Sequence, residues 1–378
     1  MKQRIRATML WVVLSIAMAS GCGNEKQASH LGVAPTSSED SAAKAVADVP
    51  LAKDTGPAAS DVATAPIDVS APTVDAASNA GADVAKPSSG KIESALKELS
   101  ATSMKAMVDY LAADERGGRI AGSPGHIQSR DYIRDQLKSY GVEPLGEDGG
   151  YFQAYDDEPY TFPARYHRDK SGKVVKNNGT KGYNVIGRIK GHDPKLAKEH
   201  VVYVAHYDHL GVDSSSGNAY NGALDNAGGV AVGLEAARVL SKTDARPARS
   251  IVFLFSDSEE KGKVGAEKWL AKPTVPIESI VLGISGDPLG RRLLPDLGII
   301  VISGAERSPE LLEFWRQTTT FAESKVVFVE REMIVIFSSD QDMFYEASTP
   351  IPAMWFNNPG FSFYHKTGDE PQTIDYRM

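Results

Sequence analysis

Val201–Glu235, VVYVAHYDHLGVDSSSGNAYNGALDNAGGVAVGLE, constrains this chain more than any other stretch. Its apolar, β-branched opening, Val201–Ala205, reads as a buried strand. His206 and Asp208 leave the C-terminal end of that strand, a Gly- and Ser-rich loop follows, and Asp225-Asn226 stand at the N-cap position of a helix over Ala227–Leu240. An imidazole and a carboxylate thus emerge at the mouth of one strand–loop–helix unit, where open α/β sheets bind their ligands. Two further apolar runs end the same way. Ile251–Phe255 leads into Ser256-Asp257-Ser258-Glu259-Glu260, and Ile280–Ile284 into Ser285-Gly286-Asp287. Any one such tip could be an ordinary solvated loop. Three on one sheet edge point to a metal site, because structural loops have no reason to gather His, Glu-Glu and Asp together.

Further strands are expected at Tyr151–Ala154, Tyr183–Lys190, Gly298–Ile302 and Ile351–Phe356. Helices are expected at Ile92–Ala113, Pro124–Tyr140, Val264–Ala271, Pro309–Phe321 and Gln341–Ala347. Strand and helix alternate through the middle, so the expected class is α/β, a mostly parallel central sheet flanked by helices on both faces. Trp315 and Trp355 read as core.

The first 90 residues read differently. Lys2, Arg4 and Arg6 precede the apolar Ala7–Ala19, too short to span a bilayer, so residues 1–21 read as a targeting segment. Cys22, the only cysteine, follows in Ala19-Ser20-Gly21-Cys22. This resembles a bacterial lipoprotein signal, which implies an exported domain anchored to a membrane through a lipidated Cys22. Plain secretion, with cleavage after Ala17-Met18-Ala19, is the alternative. Residues 22–90 are rich in Ala, Pro, Ser and Asp, without aromatics or a period, and read as a disordered tether. As a coil it would average roughly 45 Å end to end. The folded domain is then 91–378. A formal net charge of −8, with no basic stripe, argues against a nucleic-acid partner.

With no thiol in the folded part, disulfides and Cys–metal chemistry are excluded. Zinc then takes imidazole nitrogen and carboxylate oxygen, a set that His206, Asp225, Glu260, Asp287 and His365 supply. Two Zn²⁺ ions against three carboxylates would leave the site near +1, which favours ionising a bound water near neutral pH. Glu259, beside Glu260, is placed to take the proton as general base. His209 is expected beside the ligands rather than among them, since one strand end rarely supplies two ligating imidazoles. His126, His167, His192, His200 and His30 show no partner pattern.

Six segments carry a family resemblance over almost all of Lys91–Met378: GRIAGSPG at 118–125, AHYDHLG at 205–211, ALDNAGGVA at 223–231, FSDSEEKGKVGAE at 255–267, GDPLGR at 286–291 and FYHKTGDEPQTID at 363–375. Together they resemble the M28 zinc aminopeptidases. The resemblance implies a zinc exopeptidase-like α/β/α sandwich with two Zn²⁺ ions. His206 and Asp287 would hold one ion and Glu260 and His365 the other, with Asp225 bridging. Asp208 would orient the His206 ring, Glu259 would be the base, and Tyr364 would donate its hydroxyl to the tetrahedral oxyanion. The implied reaction is hydrolysis of the N-terminal peptide bond of peptides with a free N-terminus.

The chain also departs from the family pattern. Lys261, Lys263, Val264 and Ala266 stand where Gly-Leu-x-Gly-Ser usually follows the glutamate pair, and both lysines are expected to be solvated. Pro288 replaces the common Met and could shift Asp287. Gln341, in SSDQDMF, stands where many members have His. Carboxypeptidase-like or glutaminyl-cyclase-like chemistry on the same fold, or a non-catalytic binding lipoprotein, are the alternative functions.

Overall fold

The computed structural model describes residues 94–376, apart from 159–164, 180, 244–245, 292–298, 308, 319–324, 330–337 and 359–361. The targeting segment, Cys22, the tether, His30 and the expected helix start at Ile92 lie outside the described residues. Among the described residues no helix is long and apolar enough to cross a membrane.

Eleven strands are described: β1 (Glu143–Pro144), β2 (Phe152–Asp156), β3 (Tyr166–Arg168), β4 (Val174–Lys176), β5 (Lys181–Ile189), β6 (His200–His206), β7 (Ser250–Ser256), β8 (Ile280–Gly286), β9 (Ile299–Ser303), β10 (Lys325–Phe328) and β11 (Ala353–Asn357). Nine of them form one sheet in the order β1-β5-β7-β6-β8-β11-β9-β10, with β2 also on β5. The sheet is α/β as expected but less parallel than the alternation suggested. β7, β6, β8 and β11 run parallel, while β1, β2 and β7 all pair antiparallel with β5 and β11 pairs antiparallel with β9. The parallel block is the part that matters for chemistry, because its four strands deliver their C-terminal ends to one edge. In register, His206 lies opposite Ser256 and Phe356 opposite Gly286.

Among the described residues, six helices cover the sheet: α1 (Ala101–Leu111), α2 (Pro124–Tyr140), α3 (Gly229–Lys242), α4 (Val264–Ala271), α5 (Pro309–Thr318) and α6 (Gln341–Glu346). The central strands are buried on both faces, and alternate residues go to different cores. Val201, Tyr203 and Ala205 pack with Met104, Leu137, Leu234 and Trp315. Val202 and Val204 pack with Val252, Leu254, Trp269 and Phe344. Helices α1, α2, α3 and α5 therefore lie on one face and α4 and α6 on the other.

Two helix boundaries differ from expectation for local reasons. The helix expected over Ile92–Ala113 is interrupted, because Ser100 turns extended (φ −126°, ψ 106°) and its side chain accepts from Ser103 N–H, starting α1 afresh. Asp225 does not cap α3. Residues Ala223–Gly228 form a wide π-type turn, and the Asn226 side chain accepts from Gly229 N–H at 3.0 Å where α3 begins. The Asp225 carboxylate is left free of capping.

His200 opens β6, buried, with Nδ1 2.8 Å from Ser279 Oγ. Burial, with the Arg188 charge adding to it, pulls its imidazole from 6.5 down to about 4. The unfolded chain takes up the proton first, so the stability this neutral ring contributes is complete above about pH 6.5 and is lost as pH falls toward 4. His200→Gln is expected to flatten the fall of the melting temperature between those values. An unchanged slope would contradict the assignment.

Candidate metal centre

The parallel block positions the first half of the site. His206 is the last residue of β6, and Asp208 follows it. The His206 Nδ1 lies 3.2 Å from the Asp208 carbonyl oxygen and 3.5 Å from its carboxylate. Nδ1–H donates to Asp208, which leaves the Nε2 lone pair facing away. Nε2 is 3.2 Å from Asp225 Oδ1 and 3.4 Å from Asp287 Oδ1. On the other side of Asp225, His365 Nε2 lies 3.3 Å from Oδ2 and 3.1 Å from Glu260 Oε2. The fold therefore brings His206, Asp225, Glu260, Asp287 and His365 together, with one oxygen of Asp225 turned to each half. Pro288 is joined to Asp287 by a cis peptide, and Asp287 Oδ1 lies within 3.4 Å of His206 Nε2.

These spacings bear on whether the residues fit zinc. Two donors bonded to one tetrahedral zinc at about 2.0–2.1 Å lie about 3.3 Å apart. The four contacts made by His206 and His365 fall around that edge length. Asp225 Oδ2 and His365 Nε2 are moreover buried without a hydrogen bond, a costly arrangement unless a ligand satisfies them. With two imidazoles, three carboxylates and no thiolate, the donor set suits zinc.

His209 behaves differently. Its Nδ1 is 2.6 Å from Glu260 Oε1, too short for two donors sharing an ion and right for a charge-assisted hydrogen bond. It stands 4.0 Å from Asp225 Oδ2. His209 thus grips Glu260, and with Asp225 and Glu260 it also forms a cluster whose ligand atoms all lie within 4.8 Å of one another.

Glu259 and Glu260 sit in a short turn after β7. Both of their amides point at one carboxylate, Asp208, with Glu259 N–H donating to Oδ1 at 3.0 Å and Glu260 N–H to Oδ2 at 3.3 Å. Asp208 thereby fixes the His206 ring and the glutamate pair at once. Burial pushes the Glu259 carboxyl well above its ordinary range, with Asp287, Glu260 and Asp340 adding to the shift and His206 opposing it. Tyr364 stacks on the His365 ring at 3.8 Å. Burial and the surrounding carboxylates push its hydroxyl well up, so it remains a donor.

Both lysines following the pair find partners, and Lys261 is not solvated. Lys261 Nζ lies 2.8 Å from Asp157, both side chains being nearly buried. Lys263 Nζ donates to Ser338 Oγ at 2.8 Å and lies 3.9 Å from Asp342. Lys is extended enough to bury its stem and still find a carboxylate, and no composition signal announces such a partner 104 or 79 positions away.

Three supporting residues carry no sequence assignment. Asp369 accepts from Leu224 N–H at 2.9 Å and Asp225 N–H at 3.1 Å, fixing the backbone that presents Asp225. Ser339 Oγ donates to Asp287 Oδ2 at 2.5 Å. Arg119 is fully buried and spends its guanidinium on carbonyls of Tyr207, Leu111, Asn221 and Gly222 at 2.6–2.9 Å. Burial pulls its pKa down to about 10, while Asp369, Asp208, Asp225 and Glu260 pull it back up. Asp369 and Arg119 both stand inside motifs already quoted. His126, without an expected partner, pairs with Asp257 at 2.9 Å, both fully buried.

Comparison with known proteins decides the family. A family model described as Peptidase family M28 matches residues 184–378, just over half of the chain. The chain belongs to peptidase family M28. That family supports a metallopeptidase hydrolase. This M28 chain is similar, at 30% identity over 164 residues, to the alkaline phosphatase isozyme conversion protein of Escherichia coli K12, the match spanning 41% of each protein. In structure it resembles an aminopeptidase from Aneurinibacillus sp. strain AM-1, with 16% identity, a TM-score of 0.55 and coverage of 74% of this chain and 90% of that one. It also resembles Porphyromonas gingivalis glutaminyl cyclase, with 18% identity, a TM-score of 0.50 and coverage of 74% and 93%. At these identities the structural likeness establishes the fold, a zinc exopeptidase-like α/β architecture.

Proposed function

We propose that this M28 peptidase is an aminopeptidase that removes the N-terminal residue of peptides with a free N-terminus, using two zinc ions. The observation that carries the reading is the division of the Asp225 carboxylate between two donor sets, His206 with Asp287 and Glu260 with His365, beside an uncommitted Glu259. Asp225 would bridge the ions, and the other four side chains would complete the two halves. When bound, such a pair polarises a scissile carbonyl and makes a water acidic near neutral pH. Glu259 accepts the proton of the attacking water and delivers it to the leaving amine, a role suited to a carboxyl whose affinity for protons is raised by burial. Tyr364 donates its hydroxyl to the oxygen that gains charge. Asp208 holds the glutamate pair and His206 in one frame, and His209 does the same for Glu260.

Glutaminyl cyclases share the fold, so the test must separate release of the first residue from cyclisation. The test compares matched peptides. Purified protein with Zn²⁺ is expected to release the first amino acid from unblocked peptides and leave N-acetylated ones intact. Cyclisation of N-terminal glutamine without release, or no turnover of any free-N-terminus peptide, would sink the reading.

A further inference from the structure

The turn that carries Glu259 is held in an uncommon shape. Ser258 has φ 58°, Gly262 φ 106° and Lys263 φ 64°, so two residues with side chains occupy the left-handed region within six positions. Such conformations persist only where the surroundings over-determine them. Asp208 secures the two glutamate amides from below, as described above. The flanks of the turn are secured by a different residue. Asp157, just beyond the end of β2, takes Lys261 Nζ on Oδ1 at 2.8 Å and Ser258 Oγ on Oδ2 at 2.9 Å. One carboxylate thus joins the residue before the glutamate pair to the residue after it. The Lys261 ammonium also donates to the Glu158 carbonyl oxygen. The side chains are 8% and 5% exposed, so solvent screens the pair little.

We infer that Asp157, acting through Ser258 and Lys261, is a positioning residue for Glu259. Its carboxylate closes a staple across the turn and fixes the direction in which the base points, without touching substrate or metal. The carboxylate of Glu260 is gripped by His209 and its amide by Asp208, whereas Glu259 is held through its backbone, by Asp208 at its N–H, by the Gly262 and Lys263 N–H groups at its carbonyl oxygen (2.8 Å each), and by the staple. Loosening the staple should therefore degrade proton transfer before it degrades metal binding. The catalytic part of this inference rests on the aminopeptidase reading. The structural part does not.

Two readouts keep them apart. In Asp157→Asn, hydrogen–deuterium exchange of the peptide covering 257–263 is expected to speed at least tenfold, with the β6 peptide unchanged, whether or not the protein is an aminopeptidase. On unblocked peptides the same variant should lose about tenfold or more in kcat, with KM within twofold and zinc content equal to wild type. Lys261→Met should behave alike, Lys261→Arg should retain most of kcat, and the double variant Asp157→Asn, Lys261→Met should be no worse than the poorer single one. If Asp157→Asn does not fold, the two Lys261 variants carry the comparison. Unchanged exchange over 257–263 overturns the inference, as does a kcat loss matched by equal losses of zinc and KM. Inert wild type with accelerated exchange in the variant would sink the aminopeptidase reading and leave the staple standing.

Discussion

Glu259→Gln is expected to lower kcat by about 10²–10⁴-fold, the range over which a positioned general acid–base acts, while zinc content and melting temperature stay near wild type. The amide fills the same space and can still hydrogen-bond, but it cannot take a proton. Glu259 makes none of the close contacts that join Asp225 to His206 and His365, so the donor sets survive its change. Its carboxyl is already pushed up by burial and neighbouring carboxylates, which is the direction a base working near neutral pH requires. Steady-state kinetics on unblocked peptides, beside metal analysis of the same preparation, checks both halves. Retained turnover would remove Glu259 from the chemistry.

Asp225→Ala should do something different and larger, removing metal as well as rate. The two oxygens of Asp225 face separate donor pairs, at 3.2 Å to His206 and 3.3 Å to His365. On the two-ion proposal, deleting it would leave each half short of a donor and let the buried imidazoles and carboxylates face one another uncompensated. Loss of an outer hydrogen-bond partner of a metal typically costs about 10–100-fold in affinity, and loss of a shared ligand should exceed that for both ions. The expected result is a preparation with less than one zinc per chain after dialysis and no detectable aminopeptidase activity. Two zinc ions retained by Asp225→Ala would show that Asp225 does not bridge. Asp225→Asn is expected to be intermediate, because an amide oxygen can still coordinate but carries no charge.

The central strands and the edge they share are legible in the sequence. The parallel strands announce themselves as short β-branched runs, and His206, Glu260 and Asp287 lie at or just beyond their ends because a βα unit must place its loop there. Lateral order was not legible. Nothing in the periodicity of Lys181–Ile189 says that it pairs antiparallel with three other strands, since alternation reports burial and not direction. Nor do local preferences reveal that Ser100 breaks a helix whose apolar spacing continues through it. The least visible features were long-range polar partners. Arg119 reads as one more basic residue in a glycine-rich motif, yet it ties Leu111, Tyr207, Asn221 and Gly222 together behind the carboxylates. Lys261 reads as surface, yet it is nearly buried against Asp157. Such pairs arise where two distant loops meet, and each residue alone has an ordinary composition.

The most direct measurement is anomalous diffraction at the zinc edge from crystals of the wild-type protein grown with Zn²⁺. Two peaks about 3.5–4 Å apart are expected, one against His206 and Asp287, the other against Glu260 and His365, with a carboxylate oxygen of Asp225 on each. A single peak, or zinc bound away from these five side chains, would contradict the account.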